Sequence, residues 1–137
     1  MKVLIVEDQK YPLESLEWAV KKFFASYSIA KSYNQASELI ERDEFDVVFL
    51  DNRMPLEDQG DLEERDMRKF SESLENIGYT LIPMIKSRNP KVIVIGTSSM
   101  SKNELNGMPF PDYKMSKMWG DAERDLEAIL RKENILR

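Results

Sequence analysis

Residues 45–55 read Phe-Asp-Val-Val-Phe-Leu-Asp-Asn-Arg-Met-Pro. Val47, Val48, Phe49 and Leu50 form an unbroken run of β-branched, aromatic and bulky side chains, the pattern of a strand buried on both faces. The run ends abruptly in a carboxylate, Asp51, where such a strand would emerge from its sheet. In an open α/β sheet that end of the strand is where ligands bind. A lone acid there is more often a helix N-cap or a solvated strand end than a nucleophile or metal ligand. The residues at the neighbouring strand ends decide between these readings.

The rest of the chain alternates in the same style. Val3–Val6 is a second continuous apolar run, ending in Glu7-Asp8. Leu13, Leu16, Ala19, Val20, Phe23 and Phe24 then recur at spacings of three and four, which predicts an amphipathic helix with Pro12 in its first turn. Tyr27 to Ala30 reads as a weak strand, and Asn34 as the N-cap of a helix that turns Ala36, Leu39 and Ile40 to one side. After the central strand, Gly78 to Ser87 carries Leu81, Ile82 and Ile85 at helical spacing, with Pro83 either in the first turn or kinking it. Val92 to Ile95 is another buried strand, followed by Gly96-Thr97-Ser98-Ser99. Gly107, Pro109 and Pro111 interrupt residues 100–111. Asp112 to Ser116 reads as a last strand, and Ala122 to Leu130 as the closing helix. Five strand–helix alternations in 137 residues predict one α/β domain, residues 1–137, built on a doubly wound five-stranded parallel sheet.

Composition limits the chemistry. The chain has no cysteine and no histidine, which removes disulfides, thiol nucleophiles, Ser-His-Asp arrangements and most transition-metal sites. Carboxylates, hydroxyls, lysine and arginine remain, and a metal bound by them would be a hard one such as Mg²⁺. The net charge of −5 argues against a broad nucleic-acid-binding surface. The N-terminal apolar run is only four residues long, so neither a signal peptide nor a membrane span is expected, and a cytoplasmic location is the default.

In a doubly wound sheet the strand ends converge on one crevice. Here they would bring together Glu7, Asp8, Asp51, Thr97, Ser98 and the lysine after the last strand, Lys117. Three adjacent carboxylates repel and raise one another's pKa, and a divalent cation resolves the conflict. A nearby lysine and hydroxyl can hold phosphoryl oxygens, which makes Asp51 a candidate nucleophile forming an aspartyl phosphate.

LIVED at the start, VVFLDNRMP in the middle, VIVIGTSS and Lys117, taken in this order, resemble the receiver domain of response regulators of two-component signalling, in its stand-alone CheY-like form with a flavodoxin-like (βα)5 fold. The resemblance covers most of the chain. It implies Glu7 and Asp8 as the metal-binding acid pair, Asp51 as phosphoacceptor and further metal ligand, and the backbone carbonyl of Arg53 as another ligand for Mg²⁺. It implies Thr97 as the switch hydroxyl, Lys117 as the lysine that pairs with the phosphoryl group, and Tyr113 near the aromatic whose rotamer reports activation. Arg53, Ser98 and Ser99 would border the site and tune the lifetime of the phosphoprotein. The implied donor is a histidine kinase or phosphotransfer protein of a phosphorelay, and the implied output is a contact with another protein. The sequence leaves room for a homodimer. Such a protein accepts a phosphoryl group and can release it again, but is not a metabolic enzyme.

Three departures qualify the resemblance. The family has Lys-Pro-aromatic after the last strand, and here it is Lys117-Met118-Trp119. A cis bond without proline costs about 2.5–4 kcal/mol, so the bond is trans and Lys117 re-aimed, or strain is tolerated. Lys114 is the rival, because the gap from Tyr113 to Lys117 is one residue longer than usual. Second, Arg53 could pair with the phosphoryl group or screen water, which predicts slow decay. Arg53 also occupies the place where aspartate-based phosphatases carry their second Asp, which argues against such an enzyme.

Third, residues 57–76 are inserted before Gly78, with eight acids (Glu57, Asp58, Asp61, Glu63, Glu64, Asp66, Glu72, Glu75) against three bases (Arg65, Arg68, Lys69), a net −5. Met67, Phe70, Leu74, Ile77 and Leu81 keep a three-and-four spacing, so the insertion is expected to be helical, with Asp61 as cap, and to run into the next helix. It is a solvated charged helix, a lid or a partner-binding helix. Together with the interrupted 100–111 segment it points to a relocated output surface. The short tail after the closing helix leaves no room for an output domain. The alternative to a phosphorylated receiver is a pseudo-receiver, an interaction module that keeps the fold without using the phosphorylation.

Overall fold

A computed structural model of the chain describes residues 1–98 and 107–136. In chain order the elements are β1 (Val3–Val6), α1 (Lys10–Lys21), β2 (Ser28–Ala30), α2 (Tyr33–Arg42), β3 (Val47–Leu50), β4 (Arg53–Pro55), α3 (Leu62–Arg65), α4 (Met67–Glu72), β5 (Leu74–Asn76), a 3-10 turn (Gly78–Leu81), α5 (Ile82–Arg88), β6 (Ile93–Gly96), β7 (Tyr113–Lys114) and α6 (Asp121–Lys132). Five strands form one parallel sheet in the order β2-β1-β3-β6-β7. The chain runs outward from β1 to β2, then returns to β3 and runs outward the other way. This is the doubly wound arrangement expected from the sequence, with its switch point between β1 and β3.

The continuous apolar runs occupy the middle of the sheet because each strand there buries both faces. Val3, Ile5, Val47 and Phe49 point to the side covered by α1 and α6, against Leu16, Val20, Leu126 and Leu130. Leu4, Val6, Val48 and Leu50 point the other way, against Ala36 and Ile40 of α2 and Ile82 and Ile85 of α5. The alternation follows from the two-residue period of a strand. At about 1.5–3 kcal/mol per buried large aliphatic side chain, these two layers hold the strand ends in fixed register.

Helix boundaries follow local chemistry. Pro83 lies in the first turn of α5, where its missing N–H costs nothing. The cap of α2 is Ser32 and not Asn34: Ser32 Oγ accepts from the Gln35 N–H at 3.1 Å, while Asn34 lies inside the first turn. Both residue types cap well, and Ser32 has the extended backbone a cap needs. The last strand is shorter than expected, Tyr113–Lys114 in place of residues 112–116.

The insertion is not one continuous helix. Gly60, at φ +58°, turns the chain into the short α3, Asp66 breaks the path at φ −155°, and α4 ends before residues 74–76 become extended. Asp61 makes no side-chain cap and instead accepts from Arg65 Nε at 2.8 Å, whereas Asp66 caps α4 through the Lys69 N–H. The apolar spacing misled because among the insertion's own residues only Phe70 is buried, while Met67 is exposed. Leu74–Asn76 pairs antiparallel with Arg53–Pro55, which gives the backbone leaving Asp51 a hydrogen-bonding partner outside the main sheet. The insertion is tied to the body where Gln35 Nε2 donates to Asp58 and the Lys10 N–H to Glu63, and the chain just before it where the Asn34 N–H donates to the Leu56 carbonyl.

Candidate functional site

The parallel ladder continues one residue past the strand ends. The Glu7 N–H donates to the Ala30 carbonyl (3.0 Å), the Asp51 N–H to Val6 (3.4 Å) and the Thr97 N–H to Leu50 (3.0 Å). These bonds place Glu7, Asp8, Asp51 and Thr97 side by side. All four are buried, as is Ser98.

One oxygen from each of Glu7, Asp8 and Asp51 lies within 4.8 Å of the other two. Lys117 Nζ reaches between the strands and donates to Glu7 Oε1 and to Asp51 Oδ2, each at 2.7 Å. The Lys117–Met118 bond is trans, like every peptide bond among the described residues, and the lysine still arrives. Lys114 is exposed on the short edge strand. Burial by itself would lower the Lys117 pKa, but the Glu7 and Asp51 charges outweigh it and hold the ammonium above its usual range.

The two acids of the first strand end differ. Glu7 is fully engaged: Oε1 accepts from Lys117 and Oε2 from the Asp8 and Gln9 N–H groups at 3.0 and 3.1 Å. Burial raises its pKa, partly opposed by Lys117. Neither oxygen of Asp8 has a hydrogen-bond partner among the described residues. Burial first, and then the Glu7 and Asp51 charges, push its pKa up to about 8. A buried carboxylate without a donor is costly, and a cation is the partner that removes the cost. The donor set therefore fits a divalent, oxygen-preferring ion, with Asp8 and Asp51 best placed to bind it directly.

Asn52 accepts from the Ile77 N–H at 3.0 Å, which makes that pair a hydrogen-bonded one in the small ribbon. By antiparallel alternation the next such pair is Met54–Glu75, which makes Arg53–Asn76 a non-hydrogen-bonded pair of the ribbon. The Arg53 N–H lies 3.4 Å from Asp51 Oδ1, and its side chain is exposed. Thr97 Oγ1 is buried without a hydrogen-bond partner among the described residues. Tyr113 is not brought to the site: its hydroxyl donates to Glu133 of α6 at 2.9 Å, and Lys132 sits over its ring. Ser99 lies outside the described residues.

Three neighbours were not singled out as site residues. Asn52, fully buried, accepts from the Ile77 and Gly78 N–H groups on its carbonyl and from the Tyr79 N–H on Oδ1, so it clamps the returning insertion against the strand end. A Cβ on Gly78 would collide with the Asp51 carbonyl, so only glycine lets the chain return this close. Tyr79 is wholly buried, and burial pushes its phenol up to about 12. No sequence spacing marks these residues, because the contact spans the 57–76 insertion.

Two openings lead to the centre. One, of about 600 Å³, is lined by Thr97, Ser98 and Lys117 together with Tyr11, Met118 and Trp119. The other, of about 330 Å³, lies between Asp8 and the insertion.

The sequence matches no protein-family model and no curated protein. The fold does have solved counterparts. The BeF3-activated receiver domain of DrrB from Thermotoga maritima is 20% identical with a TM-score of 0.67, covering 97% of each chain. A CheY-like receiver domain protein from Methanospirillum hungatei is 18% identical with a TM-score of 0.66, over 96% of this chain and 91% of that one. The signal receiver domain of an HD domain-containing protein from Pseudomonas fluorescens is 20% identical with a TM-score of 0.66, over 96% and 84%. The chain has the CheY-like receiver fold.

Proposed function

We propose that this receiver-fold chain is a phosphoacceptor: Asp51 takes a phosphoryl group from a phosphohistidine on a histidine kinase or phosphotransfer protein, and the changed site is read by another protein. The observation that carries the proposal is Asp51 itself, a buried carboxylate held by Lys117 at 2.7 Å with unpartnered Asp8 within metal-sharing distance. An Asp51 oxygen attacks phosphorus as the P–N bond to the imidazole breaks, and the imidazole nitrogen keeps the bonding electrons and takes up a proton. Lys117 is placed to hold the phosphoryl oxygens, and the buried Thr97 hydroxyl would gain in them the acceptor it lacks. A bound Mg²⁺ would supply neutralisation of the charge that builds on those oxygens.

A protein donor is favoured by the wider opening, whose rim exposes Tyr11, Met118 and Trp119, with Trp18 beside Trp119 at 6.0 Å between ring centroids. No helix among the described residues is long and apolar enough to cross a membrane, and we place the reaction in the cytoplasm. The chain acts as substrate and as catalyst of its own turnover, not as a metabolic enzyme.

The test is incubation with Mg²⁺ and acetyl phosphate or phosphoramidate, followed by intact mass. A gain of one phosphoryl group that Asp51→Asn abolishes supports the proposal. No gain, together with no Mg²⁺ binding, selects the pseudo-receiver. The trans Lys117–Met118 bond still delivers Lys117 to Asp51, which supports the phosphoacceptor reading over that alternative.

A further inference from the structure

The narrower cleft is lined by Asp8, Lys10 and Lys31 of the receiver core and by the insertion, including Glu63. Three of the four carboxylate oxygens of these two residues are buried with no hydrogen-bond partner among the described residues: both of Asp8, which is only 7% exposed, and Oε2 of Glu63. The remaining one, Glu63 Oε1, accepts from the Lys10 N–H at 2.9 Å. That bond fixes the Glu63 side chain at the start of α1, two residues from Asp8. Glu63 is therefore held in place while half of its carboxylate has no donor, which desolvation penalises. Glu63 also stands outside the tight Glu7–Asp8–Asp51 group, so it is not a direct ligand of the same ion.

Magnesium keeps several of its waters when bound by one or two carboxylates, and those waters need acceptors. We infer that Glu63 is an outer-sphere ligand of the cation, accepting from a metal-bound water within the cleft, so that the acidic insertion completes the metal site from outside the receiver core. Five acids line the cleft (Asp8, Asp58, Asp61, Glu63 and Glu64) against two lysines, Lys10 and Lys31, a balance that favours cations over small anions. This inference rests on reading the acid triad as a divalent-cation site. It assigns the insertion a role in cation affinity and not only in shape.

The test is calorimetric titration of the full chain with MgCl₂ at fixed ionic strength. Glu63→Gln keeps a carbonyl oxygen for the Lys10 N–H and removes the charge. It is expected to weaken Mg²⁺ binding about tenfold, the low end for groups that orient metal ligands. Glu72→Gln is the control, because Glu72 is on the same insertion but is exposed and paired with Arg68 at 3.5 Å. It should bind as wild type does. Unchanged binding by Glu63→Gln overturns the inference, and so does equal weakening by both variants, which would indicate only a diffuse field. If Asp8→Asn abolishes binding while Glu63→Gln leaves it intact, the triad reading stands and the Glu63 inference falls. If wild type binds no Mg²⁺, both fall.

Discussion

Asp8→Asn is expected to make the metal-free protein more stable while removing its response to Mg²⁺. The carboxyl pKa is raised from the ordinary 3.8 to about 8 by burial and by the Glu7 and Asp51 charges. A carboxyl whose folded pKa exceeds its unfolded value favours folding while protonated. Its contribution is full below about pH 4, declines by about 1.4 kcal/mol per unit as pH rises toward 8, and is level above that. At pH 7 the upper limit of the loss is about 4 kcal/mol; the residue opens onto a cleft and neighbours relax, so about 2 kcal/mol is the working value. Asparagine has the same shape, titrates nowhere in this range and can donate its amide N–H to the adjacent carboxylates. In EDTA the variant should therefore exceed wild type by about 2 kcal/mol at pH 7, roughly 6 °C in Tm for a chain of this size. The gap should narrow toward pH 5. With Mg²⁺, wild type gains stability by mass action and the variant does not, so the gap closes or reverses. Urea unfolding at pH 5, 7 and 8.5, with EDTA or Mg²⁺, reads all of this. A variant no more stable than wild type at pH 8.5 in EDTA, or a gap that ignores pH, would refute the reasoning.

Three further outcomes can be checked. Lys117→Met leaves buried Glu7 and Asp51 without their shared cation and should cost about 3 kcal/mol in EDTA, partly restored by Mg²⁺; a loss under about 1 kcal/mol in urea unfolding would show that the bridge matters little. Gly78→Ala drives a Cβ into the Asp51 carbonyl and should cost about 1–3 kcal/mol and weaken Mg²⁺ binding, as read by unfolding and calorimetry. Arg53→Asn should shorten the phosphoprotein half-life severalfold if the exposed arginine pairs with the phosphoryl group or screens water, and an unchanged half-life in a decay assay rules the idea out.

The sheet was legible because its information is local. Four-residue, largely β-branched apolar runs at Val3–Val6 and Val47–Leu50 have the length and composition of two-sided strands, and each ends in the acid that the ladder then sets beside its neighbours. The acids and the hydroxyl could be assembled from strand order alone. The insertion was not legible, because its three-and-four spacing satisfies a helix locally, while the backbone pairing of Arg53–Pro55 with Leu74–Asn76 joins residues 19 to 23 positions apart in the chain, which no local pattern encodes.

The sequence by itself determined the doubly wound sheet and which side chains gather at its strand ends, since burial period and chain order suffice for both. Only the tertiary structure decided that Lys117, not Lys114, reaches Asp51 across a trans bond, that Tyr113 faces α6, and that Glu7 is saturated while Asp8 is bare. Only it set Gly78 against the Asp51 carbonyl and Glu63 in the same cleft as Asp8. These depend on which atoms meet after the helices pack, and hydrogen-bond satisfaction at a buried carboxylate is a property of that meeting and not of the residue's place in the chain.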